Sequence, residues 1–301
     1  MLRFMPAWFT GTVMALLLLL NTIFWVTPLY FFAVVKLLPI AGLRLFCSRI
    51  IAACGQNWAS VNTWFGDQLL PTRWQIRGVE KLDPRGQYLV CCNHQTWNDI
   101  YVVMKAFDRR APFFKFFLKQ ELIWVPLLGL AWWGLDYPFM KRYSAAYLAR
   151  HPEARGNDLI TTRKACERYR NLPVTILNFL EGTRFSKAKQ AKQKSPYRHL
   201  LRPRAGGFAL AISAMGEKIN LLLDVTVVYP EGARGFWGLL SGQVQNVIVE
   251  VRQVTIPHEM YVGSYEQDPQ FRKRFQAWIA EIWQVKDQRI AELLAESGVQ
   301  P

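Results

Sequence analysis

The sequence predicts an α/β domain with a mostly parallel central sheet flanked by helices, joined to an N-terminal transmembrane/interfacial helical segment. Three observations carry that expectation. Residues 173–180 (PVTILNFL) and 220–229 (NLLLDVTVVY) are nearly continuous apolar runs rich in β-branched side chains, the composition of strands buried on both faces. Stretches with helical spacing alternate with the strands, as crossovers between parallel strands require. Residues 4–35 contain no charge, and these 32 positions exceed the ~20 that an α-helix needs to cross a bilayer core.

Taken in order, residues 1–66 are expected to form a membrane anchor. A cleaved signal peptide fits poorly, because the apolar stretch is too long, its charged leader is only Arg3 and no small-residue cleavage site follows. Arg3 stands alone on one side of the stretch, whereas Lys36, Arg44 and Arg49 follow it. The positive-inside bias then puts the bulk of the chain in the cytoplasm, as for an integral protein of a bacterial inner membrane. Pro28 is placed to kink the helix. Residues 50–66 also lack charge but carry Gln56, Asn57, Ser60, Asn62 and Thr63. That polarity predicts a helix lying in the interface, with Trp58, Trp64 and Phe65 at headgroup level.

Residues 67–301 are expected to be one domain. Strands are predicted at 74–78, 87–92, 112–118, 137–141, 173–180, 220–229 and 244–251, and helices at 101–107, 157–169, 208–215 and 271–295. Residues 122–135 (LIWVPLLGLAWWGL) are too short to span a membrane and are broken by Pro126, Gly129 and Gly134. They predict a buried loop and strand, with a membrane-dipping surface as the alternative. No internal repeat is visible.

The chain of 301 residues carries a net charge of +15. Such a surface needs an anionic partner: nucleic acid, anionic lipid headgroups or phosphorylated small molecules. The five cysteines (Cys47, Cys54, Cys91, Cys92, Cys166) are odd in number and lack metal-ligand spacing, so they predict reduced, buried thiols and no metal site.

Ligands of open α/β sheets gather at the carboxyl ends of strands. Two predicted strands end in reactive side chains, one in Asn93-His94 with Asp99 beyond it, the other in Glu181-Gly182-Thr183-Arg184. Within one regular helix, side chains five residues apart point ~140° away from each other. With His94 on the turn and Asp99 in the first helical turn, the carboxylate can instead fold back onto Nδ1. That leaves Nε2 as an acceptor, the geometry of a general base. The competing reading is a surface histidine with a local hydrogen bond. The chain offers no G-x-S-x-G serine, and neither Cys91 nor Cys92 has an obvious activator, so the expected nucleophile is a substrate hydroxyl.

The string NHQTWND resembles the NHxxxxD motif of the glycerolipid acyltransferases, and FLEGTRF resembles their EGTR motif. PFMKR resembles their F-x-x-R block, KQELIWVPLLG their lysine-containing segment, and LDVTVVYP their final Val/Pro-rich motif. The likeness runs from about residue 70 to 232 and is nearest in flavour to the 1-acylglycerol-3-phosphate (lysophosphatidate) acyltransferases. It implies that His94 removes the proton from a glycerol hydroxyl attacking an acyl thioester, while Asp99 holds the imidazole. It also implies a phosphate held by Arg184, with Arg142 and Lys119 as further candidates, and a Glu181 that orients Arg184 or a substrate hydroxyl. Gly182 and Thr183 complete the substrate turn. The block DYPFMK departs from the more usual F-I-D/N-R run, which leaves Lys141 competing with Arg142. No cofactor is implied; acyl-CoA or acyl-acyl-carrier-protein serves as co-substrate.

Residues 181–204 hold eight basic side chains and one acid, Glu181. This is either a solvated, self-repelling loop or a clamp for anionic headgroups or an acyl carrier protein. The aromatic interleaving of a nucleic-acid platform is missing, Tyr197 excepted. Gly206-Gly207 resembles a phosphate-side turn, and His151, His199 and His258 read as surface residues. Two functions follow: a membrane-bound O-acyltransferase, for lysophosphatidate or another lysophospholipid, and a non-catalytic basic membrane-binding protein of the same fold.

Overall fold

The computed structural model describes residues 5–140, 150, 163–167, 169 and 172–298. Two long helices come first, α1 (Ala7–Val35) and α2 (Ala41–Leu69), followed by strands β1 (Arg73–Arg77) and β2 (Gln87–Cys92) and helix α3 (Asn98–Phe107). Next come β3 (Phe114–Phe116), β4 (Leu118–Lys119), a 3-10 turn Gln120–Trp124, α4 (Leu128–Gly134) and β5 (Phe139–Met140). The remainder is β6 (Val174–Phe179), α5 (Lys187–Gln193), α6 (Gly206–Met215), β7 (Leu221–Val228), α7 (Phe236–Leu240), β8 (Asn246–Thr255) and α8 (Pro269–Glu296).

The main sheet has the order β1-β8-β7-β2-β6-β3. Every pairing in it is parallel except β7 with β8. The central strands alternate as a strand covered on both faces must. Leu89 and Cys91 of β2 join one apolar cluster with α6 and α8, while Tyr88, Val90 and Cys92 join the opposite cluster with α3. A second, two-stranded sheet pairs β4 with β5 in parallel.

The predicted strand over 112–118 is split. Phe114–Phe116 joins the edge of the main sheet, and Leu118–Lys119 turns away to pair with β5. Residues 122–135 form no strand; they make the end of a 3-10 turn and the helix α4, so that expectation is corrected. Its apolar run is too short for period alone to separate helix from strand. The helix predicted over 157–169 and residues 141 and 142 lie largely or wholly outside the described residues.

The first two helices form an antiparallel hairpin. Asn21 donates to the Trp58 carbonyl at 3.0 Å and to Asn62 Oδ1 at 2.8 Å, and the Trp58 indole donates to Thr22 Oγ1 at 3.0 Å. Trp58 therefore faces α1 rather than the outer rim, and Phe65 packs against the core, leaving Trp64 as the exposed ring of the three. The helix α1 is long and apolar enough to cross a membrane by length and composition. Yet it leans on the rest of the chain near both ends. A Cβ on Gly11 would fall 2.8 Å from the Trp237 ring of α7, and one on Gly134 of α4 would fall 3.1 Å from both Leu29 and Ala33. The 18 residues from Gly11 to Leu29 cover about 27 Å of helix, so α1 lies along the α/β body. Its other side remains apolar and open, with Trp8, Phe24 and Phe31 about two-thirds exposed.

Candidate active site

The sheet itself brings the two sequence motifs together. Parallel neighbours β2 and β6 pair Cys92 with Phe179, so His94 and Glu181 each stand two residues beyond the same rung. Adjacent parallel strands in this register must deliver both turns to one edge. Two backbone contacts then lock them: the His94 N–H donates to Glu181 Oε1 at 2.9 Å, and the Phe185 N–H donates to the His94 carbonyl at 2.7 Å. Asn93 anchors the other flank. Its amide donates to the Val227 carbonyl and its Oδ1 accepts the Val227 N–H, both at 2.9 Å, which ties the turn to β7.

Asp99 occupies the first turn of α3 and is fully buried. Its Oδ2 lies 2.8 Å from His94 Nδ1 and accepts the N–H groups of Gln95 at 2.6 Å and Thr96 at 2.9 Å. Its Oδ1 accepts the Tyr229 hydroxyl at 2.8 Å. A buried carboxylate is tolerable only when its lone pairs are met this way. With Asp99 ionised, Nδ1 carries the proton and Nε2 is the acceptor. Among the described residues Nε2 has no hydrogen-bond partner, and the imidazole stacks on Phe179 with ring centroids 4.1 Å apart.

Glu181 is buried, and its Oε2 accepts the Leu201 N–H at 3.1 Å. Both oxygens are thus occupied by backbone donors, and the expectation that Glu181 orients Arg184 is corrected. Burial outweighs these two bonds and the Lys286 charge, and with Asp99 nearby it pushes the Glu181 carboxyl up to about 7. Gly182 has φ +65°, and a Cβ there would meet the Arg204 side chain at 3.0 Å. Thr183 Oγ1 accepts from Lys189 Nζ at 2.8 Å. Arg184 is exposed, and its guanidinium lies 4.6 Å from the centre of the Trp97 ring. Lys119 is also exposed, at the end of β4 opposite Met140, and bonds to none of these residues. Arg142 lies outside the described residues.

Several supporting groups are not among the site residues predicted from the sequence motifs. Tyr229 ends an apolar strand with a hydroxyl, and a polar tip at the end of a buried strand is the cue that could have found it. Thr96 Oγ1 and the Asn98 amide both donate to the Arg234 carbonyl, at 2.6 Å and 3.0 Å, fixing the turn between His94 and α3. Cys91 and Cys92 are fully buried, and burial raises both thiols well above their ordinary range, keeping them neutral. Beneath the site, buried Lys286 of α8 pairs with Asp224 at 2.6 Å. The neighbouring Asp287 accepts the N–H groups of Arg198 at 2.8 Å and His199 at 2.7 Å, and the Trp283 indole donates to the Leu201 carbonyl at 3.0 Å. His199 is half-buried, with its Nε2 enclosed and, among the described residues, without a partner, so its assignment to the surface is corrected. Gly206-Gly207 opens helix α6.

The arrangement joins an imidazole with one free nitrogen, a fixed carboxylate and a basic turn at the carboxyl edge of a parallel sheet. It can abstract a proton beside an anionic group. Residues 73–230, just over half of the chain, match the family model Acyltransferase, and the chain belongs to that family. Among similar proteins, human 1-acyl-sn-glycerol-3-phosphate acyltransferase gamma is 26% identical over 198 residues, covering 62% of this chain and 47% of that protein. The delta enzyme of Bos taurus is 25% identical over 182 residues, covering 58% and 43%. The chain thus spans less than half the length of these curated relatives. The crystal structure of the 1-acyl-sn-glycerophosphate (LPA) acyltransferase PlsC from Thermotoga maritima covers 92% of this chain and 97% of its own, at 17% identity and a TM-score of 0.49.

Proposed function

We propose that this chain transfers an acyl group from a thioester donor, acyl-CoA or acyl-acyl-carrier-protein, to the free hydroxyl of 1-acylglycerol-3-phosphate. The observation that carries this is the His94–Asp99 contact of 2.8 Å, with Nε2 free and Arg184 close to the same turn through Trp97. Asp99 fixes the tautomer and stabilises the imidazolium that forms. Nε2 takes the hydroxyl proton as the oxygen attacks the thioester carbonyl. The tetrahedral adduct then collapses to the ester, and the departing thiolate recovers the proton from the imidazolium. Arg184 holds the acceptor's phosphate, for which a planar guanidinium is suited.

The packing of α1 along the α/β body favours an interfacial disposition of the hairpin over a perpendicular span. Its exposed apolar side continues onto Trp124 (84% exposed) and Leu130 of the 3-10 turn and α4. Lys36, Arg44 and Arg49 near the hairpin bend suit anionic headgroups on the cytoplasmic face of a bacterial inner membrane.

The test is acyl transfer by the full chain in vesicles, with lysophosphatidate and lysophosphatidylglycerol offered side by side. Lysophosphatidate is expected to be the better acceptor, and His94→Ala to lower kcat/KM by a factor on the order of 10³ or more. Equal turnover by the variant would remove His94 as the base, and no turnover by the wild type with any thioester would support the non-catalytic membrane-binding reading.

A further inference from the structure

We propose that Arg204 is a second ligand for the acceptor's phosphate, acting beside Arg184 at the Gly182 turn; the proposal rests on the functional reading above. Arg204 is twenty residues from Arg184 in sequence, but its N–H donates to the Leu180 carbonyl at 2.7 Å. That bond lays the segment ending at Arg204 against the turn. The Arg204 side chain crosses Gly182, with its Cδ, Nε and Cζ 3.0, 3.3 and 3.6 Å from where a Cβ would sit. The bare α-carbon of Gly182 thus makes room for a guanidinium lying over the turn.

The charge balance of the turn points the same way. Arg204 is exposed, and among the described residues its guanidinium has no hydrogen-bond acceptor and no carboxylate partner. Lys189 brings a third cation from α5, with Nζ at 2.8 Å from both Thr183 Oγ1 and the Arg184 carbonyl. Glu181 is the one acid between residues 181 and 204, and it faces inward onto the N–H groups of His94 and Leu201. Three chain segments therefore bring cations to one turn whose only carboxylate is turned away. Such a cluster repels itself until an anion arrives. Two guanidinium forks can share the oxygens of one phosphate, whereas an ammonium offers only a point charge.

A packing role for Arg204 makes a different prediction, because loss of packing would slow every acceptor alike. The experiment compares kcat/KM for lysophosphatidate with kcat/KM for monoacylglycerol, which has the hydroxyl but no phosphate. In Arg204→Ala the ratio of the two is expected to fall about 10- to 100-fold, mainly through the KM for lysophosphatidate. Arg204→Lys should recover part of it. An unchanged ratio, with or without a general drop in rate, would overturn the proposal while leaving the acyltransferase reading intact. A wild type that acylates neither acceptor would overturn both.

Discussion

The helical hairpin and the sheet edge solve opposite solvation problems. In the hairpin Asn21 meets Asn62 and Trp58 meets Thr22 between the helices, while Trp8, Phe24, Phe31 and Trp64 face outward. At the sheet edge the order is reversed. Apolar strands fill the interior, and charged side chains gather where the strands end. On the membrane disposition proposed above, the contrast is that of one chain folded against two solvents. Inside the hairpin Asn21 finds its partners on the neighbouring helix, whereas at the sheet edge Asp99 collects its partners from backbone amides and a tyrosine hydroxyl.

The sharpest way to break the comparison is Asp99→Asn, which keeps the shape but removes the charge that fixes the His94 tautomer. It is expected to lower kcat by a factor on the order of 10³–10⁴ with little change in KM, read in steady-state assays. A loss under tenfold would mean that the carboxylate is merely structural.

The next effect is a pH dependence of stability. The Glu181 carboxyl is raised from 4.5 to about 7 in the folded chain. Its contribution is therefore fully present below the unfolded value and is lost as pH rises through about 7, a decline on the order of 3 kcal/mol. Glu181→Gln should flatten this part of the Tm profile between pH 5 and 8. A variant that tracks the wild-type curve would show that the group ionises normally.

In the hairpin, Asn21→Leu strands the Asn62 oxygen and is expected to cost about 1–3 kcal/mol, read as Tm in detergent. The pair Asn21→Leu with Asn62→Leu should recover most of that loss. If the double variant is worse than the single, the two amides are not acting on each other. Smallest is Tyr229→Phe, which removes one of the four donors to Asp99 and should lower kcat/KM about 3- to 10-fold.

Much of this architecture is legible in the residues. The apolar runs at 87–92, 173–180 and 220–229 announce the central strands, and the turn after each of the first two carries its reactive side chain. The His94–Asp99 geometry also follows from spacing, once one residue is on the turn and the other in the first helical turn. What the sequence hides is direction and pairing. Residues 122–135 are apolar throughout and so carry no period to separate helix from strand. Trp58 has the same composition signal whether it faces lipid or Asn21. The inward turn of Glu181 depends on Leu201, twenty residues away, and Tyr229 reaches Asp99 across 130 positions. Contacts so far apart leave no local pattern.

Trp283 and Asp287 of α8 hold the loop at 198–201, and Leu201 in turn holds Glu181, which holds the amide of His94. The family match ends at residue 230, so the last girder under the base comes from a helix beyond the recognisable module. A chimera that grafts residues 73–230 onto another relative's tail would carry every signature residue and yet leave this scaffold without its foot. Transplants of the activity should therefore move residues 269–296 along with the module.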